Sequence, residues 1–375
     1  MNKSIEGFPA VVEGSRSLRI GFIPDTDCAP IVAAHESGLF EKYELRVELS
    51  RENGWANIRD RILYGELDAA HAPASLPFVA NLGVDSDRSA CVTGLVLSLQ
   101  GNAIVISPQL WGEGVRDAKT LRDLIYRSRG KRTYTFGVVF PHSPPYFLLR
   151  QWLKSGGIDP EMEVRLVVLS PAQMFPTLKL GYIDGYCVGE PWTSLTLDAQ
   201  AGVCVATSAD LAPLHPEKVL MVRRSFAEDR ANEHERLIAA LLEACAFCDK
   251  PENHTVLAGM LAQPRYVNAP IDCLKHGLGS GDCEGAKGGD FAGLNIFHRY
   301  QANDPTNEKA VWLVSRLYDL MEESVLRIPP MGRTPVLKNI FRRDIFERAK
   351  AVMVHQKQAL TAEAERYEAR IERIA

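Results

Sequence analysis

The stretch Gly181-Tyr-Ile-Asp-Gly-Tyr-Cys-Val-Gly-Glu-Pro-Trp192 decides the fold, because the chain contains a fainter copy of it upstream. The copy is Gly65-Glu-Leu-Asp-Ala-Ala-His-Ala-Pro73. In both stretches a Gly-x-x-Asp turn leads into a short run of small or apolar residues. A second turn with proline follows the run. The pattern is typical of a strand that ends in a turn and, in the downstream copy, opens a helix.

The two copies belong to a longer repeat. Three pairs of residues are each 116 positions apart: Gly65 with Gly181, Asp68 with Asp184, and Gly21 with Gly137. One shared spacing predicts two α/β units built alike, with functional turns at the ends of equivalent strands.

The composition predicts a globular chain that binds neither nucleic acid nor membrane. The 375 residues fit two domains, and 46% of them are hydrophobic. A net charge of −4 gives no basic footprint for direct nucleic-acid binding. No apolar run approaches the roughly 18 residues that a membrane-spanning helix needs.

The start of the sequence predicts a cytoplasmic location. The first ten residues contain one lysine, an early glutamate and a proline. They contain no apolar core of about 7–15 residues, which a secretory signal requires. The eight cysteines are scattered, several of them inside apolar runs, which is typical of a reducing compartment.

Strands alternate with helices along both repeated parts, which predicts mostly parallel sheets with helices on their faces. The predicted strands are 18–23, 45–49, 68–73, 93–98, 103–107, 133–139, 164–169, 186–188 and 219–222. The predicted helices are 29–38, 56–64, 76–82, 118–127, 146–154, 171–180, one from Pro191, 232–247, 254–261 and 307–326. A glycine-rich surface loop is predicted at 277–291.

The tail from 343 to 375 is predicted to be a long amphipathic helix. Its apolar positions recur at helical spacing: Ile345, Ala349, Val352, Leu360, Tyr367, Ile371 and Ile374. Such a helix either packs along its own lobe or docks a partner.

The turns after the predicted strands carry a set of side chains that suits a small anion. Ligands of open α/β sheets bind beyond the carboxyl ends of the strands. There the chain offers helix N-termini, the amide of Asn102, imidazoles, the indole of Trp55 and the ammonium of Lys218. Helix N-termini favour negative charge, and an indole offers a flat wall to a planar anion.

Each of these candidates has a structural alternative. Lys218 could be a solvated turn residue, His71 a satisfied core histidine and Trp192 a core anchor. No local spacing supports a metal site built from His71, His142, His215 and Glu190. The pair Cys245-x-x-Cys248 lies inside a predicted helix, where packing explains it better than redox chemistry. No nucleotide-binding or hydrolase motif is present, so we expect neither an enzyme nor a cofactor.

Six motifs, taken in order, carry a family resemblance. They are Asn53-Gly-Trp-Ala-Asn-Ile-Arg-Asp60, Asp68-Ala-Ala-His71, Gly101-Asn-Ala-Ile104, Leu149-Arg-Gln-Trp-Leu153, Gly189-Glu-Pro-Trp192 and His215-Pro-Glu-Lys218. Over about residues 17–330 the chain resembles the nitrate/bicarbonate substrate-binding proteins of bacterial ABC transporters. The resemblance implies an α/β fold like type II periplasmic binding proteins, with two lobes, a central ligand cleft and a helical C-terminal extension. Lobe 1 would comprise 17–107 plus 215–375, and lobe 2 would comprise 108–214.

The resemblance also implies a ligand and a set of binding positions. The positions are Trp55, His71, Asn102, His142, Gly189, Glu190, Pro191 and Lys218. Lys218 resembles the nitrate-binding branch, so nitrate or nitrite is the expected ligand. We expect Lys218→Ala to abolish anion binding and to leave the fold intact.

Without an export signal, the chain is most similar to the cytoplasmic nitrate/nitrite sensors of the NasS type. Such a sensor holds a NasT-type antiterminator protein, which binds leader RNA, and releases it when the anion closes the cleft. One alternative is a solute-binding receptor of a nitrate, bicarbonate or sulfonate ABC transporter. Another is an enzyme on the same scaffold, for which Cys187 would be the reactive candidate.

Overall fold

The computed structural model describes residues 16–279, 295–323 and 339–372, which form two β-sheets flanked by helices. The strands are β1 (Leu18–Phe22), β2 (Val47–Arg51), β3 (Ala69–Pro73), β4 (Cys91–Val92), β5 (Val96–Leu99), β6 (Asn102–Ile106), β7 (Tyr134–Val138), β8 (Val164–Val168), β9 (Gly185–Gly189), β10 (Val203–Thr207) and β11 (Pro216–Arg223).

The helices lie between the strands and after the last one along the chain. They are α1 (Ala29–Glu36), α2 (Leu39–Lys42), α3 (Trp55–Leu63), α4 (Leu76–Leu82), α5 (Pro108–Gly112), α6 (Ala118–Arg127), α7 (Pro144–Ser155), α8 (Pro171–Lys179), α9 (Trp192–Asp198), α10 (Ser208–Leu211), α11 (Arg224–Asp229), α12 (Ala231–Cys248), α13 (His254–Leu261), α14 (Ile271–Leu278), α15 (Asn307–Glu322) and α16 (Arg343–Glu372). Short 3-10 helices lie at Thr26–Cys28 and Pro251–Asn253.

Both sheets have the same plan. The first runs β2-β1-β3-β11-β4, with β5 also paired to β11, and the second runs β8-β7-β9-β6-β10. In each sheet three parallel strands come from one repeated unit, and a fourth strand joins them antiparallel. The predicted α/β architecture with two similar units is therefore confirmed. The sheets are mixed rather than mostly parallel, because β11 and β6 enter in the opposite direction.

Two aspartates, Asp68 buried and Asp184 partly buried, explain the spacing of the repeat. Asp68 accepts a hydrogen bond at 2.9 Å from the backbone N–H of the second residue of β1. Asp184 accepts one at 2.7 Å from the second residue of β7. Each carboxylate thus ties the turn before one strand to the neighbouring strand. Gly65 and Gly181 begin these turns at φ 75°, a conformation that glycine adopts without strain.

Several short elements lie where the sequence predicts none. They are β10, α2, α5, α10, α11 and α14, each of at most eight residues. Strand β6 hydrogen-bonds in the second sheet, although the residues up to 107 were expected in lobe 1. The division into lobes at 107 and 214 stays a prediction.

The start of the long C-terminal helix packs on the body of the protein. Ile345 and Ala349 of α16 are buried, and this part of the helix lies along α12. The side chains of positions 359, 360 and 362–372 lie outside the described residues, as do positions 280–291 of the predicted glycine-rich loop and positions 324–326 and 373–375 of the predicted helices. Gly277 and Leu278, which were predicted to begin that loop, belong to α14 instead. Among the helices of the described ranges, none combines the length and apolar character needed to cross a bilayer.

Candidate functional site

Lys218 is the centre of a buried cluster of charged side chains. It lies in β11 and is only 3% exposed. Its Nζ is 2.6 Å from Oδ2 of Asp27 and 2.8 Å from Oε1 of Glu217. Burial on its own would lower the pKa of Lys218, but Asp27, Glu217 and Asp25 raise it above its ordinary value. The side chain is therefore a buried ammonium, and the alternative of a solvated turn residue is wrong.

Asp27 joins Lys218 to His71. Asp27 lies in the 3-10 turn after β1, and its Oδ1 is 2.9 Å from Nε2 of His71 in β3. Burial alone would raise the pKa of Asp27, but Lys218 and His71 lower it to about 2. Burial lowers the pKa of His71 despite the pull of Asp27. Neither ring nitrogen of His71 has an aligned hydrogen-bond partner among the described residues, so this is not a fully satisfied core histidine.

Trp55 forms an aromatic wall beside the ammonium. It is the first residue of α3, and its ring centroid is 5.2 Å from Nζ of Lys218. The same ring lies 5.4 Å from the His71 ring, centroid to centroid. The indole Nε1 is buried without a hydrogen-bond partner among the described residues. A buried N–H without a partner is costly, so this donor marks a place where a ligand oxygen would be stabilised.

Asn102 brings the second sheet to the cluster. It begins β6, and its Nδ2 donates a hydrogen bond to Oε2 of Glu217 at 2.6 Å. The amide orientation follows from that contact, because a carboxylate only accepts. The Oδ1 of Asn102 has no partner in the described chain. It faces Gly189, the opposite residue in β9, where an added Cβ would lie 3.5 Å from it.

Glu190 and Pro191 shape the turn after β9 rather than joining the charged cluster. Oε2 of Glu190 accepts a hydrogen bond from the backbone N–H of Ser194 at 3.0 Å, and Pro191 is the N-cap of α9. Burial raises the pKa of Glu190 to about 7, although the bonds from Ser194 lower it. The backbone oxygen of Glu190 accepts from the N–H of Thr26 at 2.7 Å. This bond links the turn after β9 to the turn after β1.

His142 lies apart from Lys218. Its Nε2 is 3.9 Å from Oδ2 of Asp85, and its ring packs against Tyr146 with 5.9 Å between centroids. Burial lowers its pKa, with Asp85 acting in the opposite direction. Within the described ranges none of its contacts is with the Lys218 cluster. The structure therefore does not bring this expected ligand residue to the others.

Three carboxylates of the cluster were not singled out by the sequence: Asp25, Asp27 and Glu217. Oδ1 of Asp25 accepts a hydrogen bond from Nε1 of Trp192 at 2.7 Å. Burial and the neighbouring Asp27 raise the pKa of Asp25 to about 7, against the effects of Lys218 and Trp192. Cations and N–H donors are the groups expected to bind an anion, so acidic residues were not considered as part of the site. The available signal was Asp25-Thr-Asp27 directly after an apolar strand.

The structure does not bring together the residues considered for a metal site, which were His71, His142, His215 and Glu190. His215 is engaged by the backbone oxygen of Ala212 at 2.8 Å and by Oε2 of Glu217 at 3.1 Å. In residues 16–279, 295–323 and 339–372 no three His, Cys, Asp or Glu side chains are arranged to hold a metal ion.

Comparison with known proteins identifies the family and several relatives. The NMT1-like family matches residues 12–262. The chain is 37% identical over 305 residues to the nitrate import ATP-binding protein NrtC of Synechocystis sp., covering 80% of this chain and 45% of that protein. It is 35% identical over 303 residues to the bicarbonate transport ATP-binding protein CmpC of Synechococcus elongatus, with coverage of 80% and 45%. The chain thus spans about half the length of these curated relatives.

A shorter relative and two solved structures cover more of their own length. The nitrate/nitrite binding protein NrtA of Nostoc sp. is 29% identical over 306 residues, covering 79% of this chain and 69% of that protein. The crystal structure of the periplasmic nitrate-binding protein NrtA from Synechocystis superposes with a TM-score of 0.80 at 22% identity, covering 92% and 91% of the two chains. The alkanesulfonate-binding protein SsuA from Xanthomonas axonopodis gives 0.66 at 14% identity, covering 87% and 98%.

These comparisons confirm some predictions and overturn one. The resemblance to nitrate and bicarbonate substrate-binding proteins and the periplasmic-binding-protein-like fold are confirmed. The prediction of a non-enzyme is confirmed as well, because NrtA and CmpA are named as binding proteins. The prediction of a cytoplasmic location is wrong, because nitrate- and sulfonate-binding proteins of this fold are described as periplasmic. The chain belongs to the NMT1-like family.

Proposed function

We propose that the chain is a solute-binding receptor for a small planar oxyanion in an ABC importer, and that the anion binds beside Lys218. The proposal rests on the buried ammonium of Lys218 at the junction of two sheets. The indole of Trp55 lies beside it, and ring N–H groups without hydrogen-bond partners among the described residues surround it. An ammonium has three N–H donors, and two carboxylates lie within 2.8 Å of Nζ. One donor direction therefore remains for an oxyanion.

Closure of the two sheets on the anion follows from the contacts that cross the junction. Asn102 of the second sheet bonds Glu217 of the first, and the turns after β1 and β9 are joined backbone to backbone. These bonds form only when the sheets are together. An anion that contacts both sides would bind the closed form more tightly and shift the population toward it.

Nitrate is the first candidate for the ligand. The relatives include nitrate import and nitrate/nitrite binding proteins, and an indole face suits a flat anion that makes weak hydrogen bonds. The unpartnered N–H of Trp55 supplies a donor to such an anion without the need to break an existing bond.

Bicarbonate is the second candidate, and one observation favours it. Oδ1 of Asn102 is a buried acceptor without a partner in the described chain. Nitrate carries no hydrogen, whereas the O–H of bicarbonate can donate to this oxygen and relieve its cost. Bicarbonate transport proteins are also among the relatives.

The antiterminator-holding sensor stays a prediction. The named relatives are transport components, and they support the receptor, which was the alternative, better than a regulator. A partner protein of the NasT type would have to prefer the open form, since reciprocal coupling requires the anion and the partner to favour different states.

Calorimetric titration of the purified chain with nitrate, nitrite, bicarbonate and methanesulfonate tests the proposal. We expect heat of binding with nitrate or bicarbonate at pH 6.5. Trp55→Leu should weaken that binding at least about tenfold, because it removes both the wall and the free N–H. Trp111→Leu, at a position in α5 that is 37% exposed, is the matched control. Lack of binding by all four anions would refute the receptor function.

A further inference from the structure

We propose that anion binding beside Lys218 is accompanied by uptake of one proton, and that Asp25 is the residue that holds this proton. The inference rests on the proposed function, and it adds a residue that sets how pH controls the site. Asp25 acts on the anion through charge and is a positioning residue rather than a direct ligand.

The charge balance of the cluster carries the inference. One ammonium, Lys218, is surrounded by the carboxyl groups of Asp25, Asp27 and Glu217, and each of the four residues is at most 3% exposed. A bound anion would be a fourth negative group beside one positive group. Buried charges without a counter-charge are strongly destabilising, so one group has to become neutral when the anion enters.

Asp25 is the carboxyl group with the weakest compensation. Asp27 is close to both Lys218 and His71, and Glu217 is held by Lys218, Asn102 and His215. Among the described residues, the side chain of Asp25 accepts one hydrogen bond, from Trp192. When like charges share a site, the group with the least support takes the proton. Burial and Asp27 already raise the pKa of Asp25 to about 7.

The other titratable groups around Asp25 are fixed in one state or lie further away. On its own turn, Cys28 is a neutral thiol, because burial raises its pKa well above the ordinary value. On β3, burial lowers the pKa of His71, which keeps the ring neutral near pH 7. On the turn after β9, Glu190 also titrates near pH 7, but its carboxyl group bonds Ser194 instead of facing Lys218. Glu190 is thus the competing proton acceptor that the experiment has to separate.

Calorimetric titrations with nitrate in two buffers of different ionisation enthalpy, HEPES and Tris, measure how many protons the protein takes up on binding. For the wild-type chain at pH 8 we expect close to one proton per bound nitrate. The apparent Kd should rise about tenfold per pH unit above pH 7, because only the form with protonated Asp25 binds. Asp25→Asn keeps an acceptor for Trp192 and should reduce the proton uptake to near zero, with a Kd that is flat from pH 7 to 9. Asp87→Asn, the same change on an exposed loop residue, should behave as wild type.

Different outcomes separate this inference from the proposed function. Nitrate binding without proton uptake overturns the inference and leaves the receptor function in place. Proton uptake that persists in Asp25→Asn, or that is lost in Glu190→Gln instead, assigns the proton to another residue and also overturns the inference. Absence of nitrate binding from pH 6 to 8 overturns the nitrate site itself. If Asp25→Asn does not fold, the proton count of the wild-type chain still decides whether uptake occurs.

Discussion

Among single residues, Lys218 has a structural role beside the one proposed for it in anion binding. The sequence led us to expect that Lys218→Ala would leave the fold intact. The structure changes that expectation, because removal of the ammonium leaves the buried carboxylates of Asp27 and Glu217 without their counter-charge. We predict a loss of about 3–5 kcal/mol in the free energy of unfolding at pH 7.5, measured with urea. Lys119→Ala, on the exposed face of α6, is the control and should change little.

The double variant Lys218→Ala/Asp27→Asn tests that explanation of the loss. It removes the ammonium together with one of the two carboxylates left without a counter-charge. Part of the lost free energy of unfolding should therefore be recovered. A double variant no more stable than Lys218→Ala would contradict the explanation by unpaired charge.

Asp25 should make the protein less stable as the pH rises. Its pKa is about 7 when folded, against an ordinary value near 4, so between these values the folded state binds more protons than the unfolded state. Stability therefore falls from about pH 4 to pH 7, by at most about 4 kcal/mol, and stays low above. Asp25→Asn should remove this loss and be more stable than wild type at pH 8, with little difference at pH 4.5. Urea unfolding of both proteins at the two pH values checks this prediction. A higher free energy of unfolding for Asp25→Asn at pH 4.5 alone would contradict it.

The residue scale also shows what the sequence could predict of the site. Trp55 opens α3, and Asn102 and Lys218 lie near the starts of β6 and β11, so their place in turns at the ends of the sheets could be expected from the sequence. Their partners at that edge are the last residues of β9 and β3, because β6 and β11 run antiparallel to those strands. The position of His142 could not, because strand order does not say which way a turn residue faces. Asp27 was missed as a partner of Lys218 because the two residues are far apart in the sequence and meet only in the folded chain. Glu217 directly precedes Lys218 and was missed because acids were not considered as part of an anion site.

At the scale of elements, the repeat spacing was the most informative feature of the sequence. It placed Asp68 and Asp184 at equivalent turns, and both carboxylates do bond the neighbouring strand. The entry of β6 into the second sheet could not be predicted, because antiparallel partners come from outside the repeat. The helices and strands of four to eight residues that were missed are too short to show a periodic pattern.

Asp184→Ala should test the role of the second turn. The change leaves the N–H of Thr135 without its acceptor and breaks the ion pair of Asp184 with Arg132. We predict a loss of about 1–3 kcal/mol in the free energy of unfolding, measured with urea. Asp184→Asn keeps an acceptor and should recover part of the loss. Exposed Asp123→Ala, in α6, is the control, and a loss of the same size there would contradict the account.

At the scale of the whole molecule, contacts between the turns after β1 and β9 hold the two sheets together. The bond from Trp192 Nε1 to Asp25 is one of them, and it joins a helix of the second unit to the first sheet. Trp192→Phe removes this bond and should favour the open form. We predict that nitrate affinity falls about tenfold in calorimetry, which corresponds to one lost bond of about 1.4 kcal/mol. Trp111→Phe is the control, and unchanged affinity in Trp192→Phe would mean that this contact does not govern closure.

The most direct test of the account is a crystal structure of the full chain grown with nitrate. We predict a planar anion with one oxygen within about 3.2 Å of Nζ of Lys218, lying against the Trp55 ring and accepting a hydrogen bond from its Nε1. Nitrate bound elsewhere, with Lys218 still enclosed by Asp27 and Glu217 alone, would contradict it.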